Sequence, residues 1–185
     1  LLYVRGQRED FDHWHSLGNI GWAWDDVLPY FKKLETWEDP EKLRDKHFRG
    51  FNGPVSISSM RVRRQIVDAW VEAAVNSGYE RNYDYNGITQ EGVGYFQQTA
   101  LFGKRVSSAS AYLKLVKHRK NLSVFTQSKV KKIIFEKNKA IGVIVNFKNR
   151  IVNIFSEKEL ILSAGSIGTP HLLMVSGLGP AEMLR

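Results

Sequence analysis

The last third of the chain alternates between apolar and polar residues and is interrupted by short polar turns. Strand-like segments occupy residues 122–125, 130–136, 140–147 and 150–155, and residues 136–139 form one of the turns. A period of two is typical of strands with one buried and one solvated face, and short turns join antiparallel neighbours. The sequence therefore predicts a β-meander in this region.

The meander leads into an apolar segment, residues 159–165, which ends in small residues and precedes a helical pattern at 170–175. A strand that passes through Ser-Ala-Gly into a helix is a place where α/β proteins bring backbone close to phosphate or ribose. No G-x-G-x-x-G fingerprint is present, since Gly92 and Gly94 lack a third glycine and Pro180 interrupts the other candidate. The segment favours an α/β fold without identifying a nucleotide.

Helical patterns dominate the first two thirds of the chain. Apolar spacing predicts helices over 10–17 and 64–77, and Asp25 is expected to cap another helix that ends at Glu35. The polar stretch 36–59 reads as a loop with turns. Shorter elements complete the prediction, namely strands at 54–58 and 94–99 and a helix at 107–116. The fold class is α/β, with α+β character in this chain.

Composition and charge pattern exclude several classes of function. The net charge is +8, but much of it lies on lysines that alternate with apolar residues in strands, and no nucleic-acid motif accompanies it. We therefore expect no nucleic-acid partner. The absence of cysteine excludes disulfides and thiolate chemistry. No apolar run approaches the roughly 18 residues that a membrane-spanning helix needs, so no membrane span is expected.

The residue types that usually perform catalysis show no spacing in the sequence that is typical of an active site. None of the histidines lies beside a serine-acid pair or in a metal-ligand pattern, and the carboxylates are scattered. The sequence therefore assigns no catalytic residue and no metal site. The histidines are His13, His15, His47, His118 and His171.

A long motif near the end of the chain is more specific. Residues 165–179 read Gly-Ser-Ile-Gly-Thr-Pro-His-Leu-Leu-Met-Val-Ser-Gly-Leu-Gly, which resembles the second signature of the glucose-methanol-choline (GMC) oxidoreductases. Other blocks are similar to that family and follow its order. They are residues 3–6 (Tyr-Val-Arg-Gly), 10–14 (Asp-Phe-Asp-His-Trp), 26–33, 105–109 and 119–124.

The resemblance implies an FAD-binding Rossmann-like domain with a β-meander, interleaved with part of a substrate-binding domain. It assigns residues 1–60 to a helical and loop segment that joins the two, 61–120 to the substrate-binding domain, and 121–185 to the FAD-binding domain. The implied cofactor-binding residues are Val130, Ala164, Gly165, Tyr3, Arg5 and Gly6. Val130 is expected near the adenine, and residues 3–6 leave the flavin-proximal loop.

The resemblance also implies an activity. The intact protein is expected to transfer a hydride from the CH-OH group of an alcohol, sugar or choline-like substrate to FAD, with quinone or oxygen as acceptor. The catalytic histidine and its partner are expected beyond residue 185, so this chain alone is expected to be inactive. The blocks look most like the insect FAD and quinone dependent glucose dehydrogenases, which would imply secretion. The alternatives are a truncated, non-catalytic or partner-binding product, and a flavin-bearing lyase.

Overall fold

The computed structural model describes residues 1–38 and 46–184, so residues 39–45 of the predicted polar loop lie outside the described residues. The chain divides into two compact units, Leu1–Leu122 and Ser123–Arg185. Sheets and helices are mixed, which confirms the α/β class. The assignment of 1–60, 61–120 and 121–185 to cofactor and substrate domains stays a prediction.

The described part of the first unit contains a mixed sheet. Its second strand lies parallel to the first and antiparallel to the third, and the third pairs with the fourth across a turn at Phe102 and Gly103. The predicted strand at 54–58 is confirmed, whereas the strand predicted at 94–99 begins only at Gln98. The strands are β1 (Glu35–Trp37), β2 (Val55–Ser58), β3 (Gln98–Leu101) and β4 (Lys104–Arg105).

The helices predicted for the first unit are present, with one error at a helix start. Ala23, not Asp25, occupies the N-cap of α2, and the Asp26 carboxylate accepts the Ala23 N–H at 3.1 Å. Asp25 lies two residues after the N-cap, in the first turn, where its side chain pairs with Arg8 at the surface. The helices are α1 (Arg8–Ser16), α2 (Trp24–Leu34), α3 (Gln65–Asn76), and a π-helix (Ala109–Leu113) that continues into α4 (Lys114–Val116).

The apolar stripe of α3 predicts a broad buried face, but only part of that stripe is buried. Val71 is 3% exposed, but Ile66 and Trp70 are 75% and 65% exposed. Residues four apart lie on one ridge of a helix, so Ile66 and Trp70 form a ridge that is rotated away from the face centred on Val71. Within the described residues this ridge remains in solvent.

The first residues of the chain extend the sheet next to β3. The Tyr3 N–H donates to the Gln97 carbonyl at 2.9 Å, the Thr99 N–H donates to the Leu1 carbonyl at 2.8 Å, and Leu2 lies opposite Gln98. The Tyr3 ring then enters a core with side chains from β1, β2 and the π-helix. That core comprises Tyr3, Trp37, Val55, Ile57 and Ala111, and a second one under α1 and α2 comprises Phe11, Trp24 and Leu28.

The second unit confirms the β-meander. Three antiparallel strands lie in chain order, β5 (Ser128–Glu136), β6 (Lys139–Phe147) and β7 (Arg150–Phe155), and two helices follow, α5 (Gly165–Val175) and α6 (Ala181–Leu184). The strands predicted at 122–125 and 159–165 are wrong for this structure, because neither has a ladder partner within the described residues and Gly165 already belongs to α5. Helix α5 also begins five residues before the predicted 170, at Gly165.

One hydroxyl joins α5 to the meander. Ser176, just after the helix, accepts the Ile133 N–H of β5 at 2.8 Å and donates to the Leu172 carbonyl at 2.6 Å. Since β5 is an edge strand among the described strands, this N–H points away from β6 and would otherwise lack a partner. Ser176 therefore closes part of that edge.

We expect Ser176→Ala to destabilise the intact protein by about 1–3 kcal/mol, because it leaves the buried Ile133 N–H unsatisfied. Thermal unfolding and amide exchange at Ile133 measure the effect. Ser156→Ala is the control, since the Ser156 hydroxyl bonds the Glu159 carbonyl at the surface. Equal losses in the two variants would contradict the role given to Ser176.

Candidate functional site

Val130 lies on the free side of the second unit's sheet. It belongs to β5, which has no neighbour on its outer side among the described strands, and its side chain is 37% exposed. The pairing with β6 shifts between Val130 and Lys132, so the ladder is locally irregular at this point. An edge strand presents unpaired backbone N–H and C=O groups, which are the atoms that the predicted contact with adenine requires.

Ala164 and Gly165 form the start of α5. Gly165 has a φ of +88°, a conformation that favours glycine, and no atom lies within 4 Å of the position that a Cβ would occupy. The Ala164 N–H is held by the Thr169 hydroxyl at 3.0 Å. Ala164, Gly165 and Ser166 are all exposed, so the first turn of this 11-residue helix is open on its outer side.

These features fit the nucleotide part of FAD. The N-terminus of an α-helix carries unsatisfied N–H groups and a partial positive charge, and both favour a phosphate. The missing side chain at Gly165 leaves room for a ligand to approach the backbone. Val130, Ala164 and Gly165 therefore lie in one unit, on a free strand edge and at an open helix start.

Tyr3 and Arg5, predicted from the same resemblance, are engaged in a buried charge cluster of the first unit. Arg5 Nη2 lies 2.8 Å from Glu35 Oε1, and Arg49 Nε lies 3.2 Å from the same oxygen. Glu35 and Arg49 are 0% and 1% exposed. The Gly50 N–H also donates to Glu35 Oε1 at 2.7 Å. One carboxylate thus joins the two arginines to the backbone at Gly50.

Asp84 extends the cluster into the loop at residues 82–91. Its Oδ1 lies 3.2 Å from Arg49 Nη1 and accepts the Gln97 side-chain amide at 3.0 Å. The charges of the two arginines are matched by those of Glu35 and Asp84, as buried ions require. Sequence reasoning missed Glu35, Arg49 and Asp84, because the three are far apart in the chain and show no motif spacing.

A cavity of about 510 Å³ adjoins this cluster. One wall is the segment 5–9, which carries Arg5 and Gly6, and the opposite wall is the loop at residues 85–91. Trp24 and Phe48 close it from the side. Gly6 is tightly packed, because an added Cβ would lie 2.9 Å from the Phe11 ring. The course of residues 5–6 therefore shapes one wall of the cavity.

Burial changes the acidity of groups in the cluster. It raises the pKa of the Tyr3 hydroxyl from 10.0 to about 12, partly offset by the neighbouring Arg5 cation. Burial also lowers the pKa of Arg49, while Glu35 and Asp84 act in the opposite direction. Desolvation disfavours the charged form in both cases.

The remaining expectations concern metals and membranes. Within residues 1–38 and 46–184, no cluster of three or more His, Asp or Glu side chains has the arrangement of a metal site. No helix in that part of the chain combines the length and the apolar character that crossing a bilayer demands. The described histidines include His13 and His15, which lie on α1.

An open helix start and a free strand edge are features with which α/β proteins bind nucleotide-type cofactors. A family model described as GMC oxidoreductase matches residues 1–184. The chain therefore belongs to the GMC oxidoreductase family. FAD, the cofactor expected from the sequence, is the cofactor of this family.

Curated relatives agree with this assignment. The chain is 42% identical over 185 residues to an oxygen-dependent choline dehydrogenase of Sinorhizobium fredii and 40% identical to the enzyme of that name from Rhizobium meliloti. Each alignment covers 100% of this chain and 33% of the relative, so the chain spans about a third of their length. These relatives are bacterial choline dehydrogenases, and they do not support the predicted likeness to insect glucose dehydrogenases.

Solved structures have the same fold. Pyridoxine 4-oxidase from Mesorbium loti superposes with a TM-score of 0.88 at 31% identity, covering 99% of this chain and 36% of that one. An FAD-dependent oxidoreductase from Chaetomium thermophilum also reaches 0.88, at 32% identity, with 99% of this chain and 34% of that chain covered. The similarity extends over both units.

We expect Glu35→Gln to destabilise the intact protein by about 3–5 kcal/mol, because it leaves Arg5 and Arg49 buried without their shared carboxylate. Thermal unfolding measures the loss. Asp25→Asn is the matched control, since it breaks an ion pair with Arg8 whose side chains are 50% and 79% exposed. That change should cost at most about 1 kcal/mol. Similar losses would contradict the dominant role of Glu35.

Tyr3 should make stability depend on alkaline pH. Below pH 10 the hydroxyl is protonated in both folded and unfolded chains. Between pH 10 and about 12 the unfolded chain loses this proton while the folded chain keeps it. Stability should therefore fall by up to about 3 kcal/mol across that window. Tyr3→Phe should remove this part of the decline in denaturant titrations at stepped pH, whereas Tyr30→Phe, at a residue 71% exposed, should not.

Proposed function

We propose that the chain is part of an FAD-dependent oxidoreductase that oxidises the CH-OH group of an alcohol. The match of residues 1–184 to the GMC oxidoreductase family carries this proposal. When bound, FAD would be the oxidant and would take a hydride from the alcohol carbon, while the hydroxyl proton would pass to a base that is not expected among residues 1–185. The products are a carbonyl compound and reduced flavin.

In this proposal the residues of the chain bind and orient the cofactor. Val130 offers backbone atoms of the β5 edge to the adenine, and residues 164–165 bring the α5 N-terminus to the nucleotide. Their placement on a free edge and at an exposed helix start supports these roles. Tyr3, Arg5 and Gly6 form the segment that leaves the flavin-proximal loop. The contacts of Tyr3 and Arg5 in the buried cluster and the close packing of Gly6 on Phe11 support this role.

For the substrate, we favour a choline-like alcohol, because relatives named choline dehydrogenase align with the whole of this chain at 40–42% identity. Oxygen is the acceptor that the names of those relatives indicate. A sugar substrate with quinone as acceptor is the second candidate, supported by the likeness of the sequence blocks to the insect subgroup. Secretion belongs to that second candidate.

The competing hypothesis is a non-catalytic product, and a third is a flavin-bearing lyase. Anaerobic mixing of the intact protein with choline, glucose and a simple primary alcohol separates all of them. We expect choline to bleach the visible flavin band and air to restore it. Bleaching by glucose with reoxidation by quinone would select the second candidate. Bound flavin that no donor reduces would favour the lyase, and absence of bound flavin would favour a non-catalytic product.

We expect Gly165→Ala to weaken FAD binding about tenfold or more, because the new Cβ enters the space facing the nucleotide and strains the helix start. Flavin fluorescence titration of the intact apoprotein measures the affinity. Gly177→Ala is the matched control, since Gly177 follows the same helix, has a φ of +92° and is equally open. Both variants should lower the unfolding temperature, but only the first should weaken FAD. Equal affinities would remove Gly165 from the cofactor site.

A further inference from the structure

The side chain of Asn86 binds the backbone of the segment that carries Tyr3 and Arg5. Its Oδ1 accepts the Arg5 N–H at 2.8 Å, and its Nδ2 donates to the Tyr3 carbonyl at 3.1 Å. The second hydrogen of Nδ2 reaches Gln97 Oε1 at 2.9 Å. The residue is 3% exposed. A buried amide with all of these bonds made is fixed in one orientation.

Neighbours of Asn86 also hydrogen-bond the backbone of the segment that carries Tyr3 and Arg5. The Tyr85 hydroxyl donates to the Tyr3 carbonyl at 2.7 Å, and Gln90 Nε2 donates to the Arg5 carbonyl at 3.1 Å. The Tyr3 N–H donates to the Gln97 carbonyl, and the Gln97 N–H donates to the Tyr85 hydroxyl at 2.6 Å. Side chains of the loop at residues 82–91 thus make the hydrogen bonds to the backbone of Tyr3 and Arg5 that a neighbouring strand would otherwise make.

Asn86 is the member of this loop that contacts both Tyr3 and Arg5. Its own N–H donates to Asp84 Oδ1 at 3.2 Å, and that carboxylate pairs with Arg49. The amide is therefore anchored on the charge cluster at one end and holds the backbone at the other. A displacement of Asn86 would be transmitted directly to residues 3–6.

We propose that Asn86 is a positioning residue, which sets the course of residues 3–6 and thereby the seating of FAD beside them. This inference rests on the proposed function, in which residues 3–6 leave the flavin-proximal loop. Small errors in the placement of groups around a cofactor are costly, because its binding and reaction depend on a preorganised geometry.

Asn86→Asp tests the proposal with a change that preserves shape. The aspartate keeps an acceptor for the Arg5 N–H but cannot donate to the Tyr3 carbonyl or to Gln97. We expect the affinity of the intact apoprotein for FAD to fall about tenfold, which corresponds to the loss of one or two buried hydrogen bonds. The absorption spectrum of the bound flavin should also change, because its surroundings shift.

Asn82→Asp is the matched control within the same loop. Asn82 Oδ1 accepts the Asp84 N–H, and Nδ2 donates to the Thr89 and Glu91 carbonyls, so the same substitution removes the same number of donors. None of these bonds reaches residues 1–6. The control should lower the unfolding temperature while leaving the FAD affinity and the flavin spectrum as in the wild type.

Equal effects of the two variants on FAD affinity and spectrum would overturn the proposal, as would an Asn86→Asp protein with wild-type affinity and spectrum. If the wild type binds FAD but no alcohol reduces it, the proposed function fails, while the difference between the variants still supports Asn86 as the positioning residue. If an alcohol reduces the bound flavin but the two variants do not differ, the proposed function is supported and the role of Asn86 is overturned.

Discussion

The shared carboxylate of Glu35 is the contact on which the first unit depends. Glu35 lies where α2 ends and β1 begins. Its Oε1 forms ion pairs with Arg5 and Arg49 and accepts a hydrogen bond from the Gly50 N–H. Burying the charges of Glu35, Arg5 and Arg49 is costly unless each is paired, so the segments that supply them must meet in one geometry. The apolar core around Tyr3 and Ile57 contributes non-directional burial, whereas the paired charges require particular segments to meet.

The cluster also determines the course of the chain beside the cavity. Arg5 is held by Glu35 and by the Phe48 carbonyl through its guanidinium, and by Asn86 and Gln90 through its backbone. The side chain of Arg5 is therefore a structural anchor. In the proposed function, Arg5 would act on the cofactor through the position of its backbone, because its charge is directed into the protein.

The fold of the second unit is specified by a different kind of interaction. Its meander needs no charge cluster, because alternation and short turns already specify the three strands and their register. What it requires is cover for the outer edge of β5, and Ser176 supplies part of it by accepting the Ile133 N–H. Among the described residues, the remainder of that edge near Val130 has no neighbouring strand, and the start of α5 at Gly165 is exposed.

The sequence by itself determined the elements whose signals are local. Periodicity specified the meander and the long helices, and the motif at 165–179 specified the family. Tertiary structure decided the rest. Residues 122–125 and 159–163 have strand-like composition, but a strand requires a partner, and the described residues supply none. Likewise Glu35, Arg49, Asp84 and Asn86 became recognisable only once folding joined them, because long-range pairing of charges and amides leaves no periodic trace in a sequence.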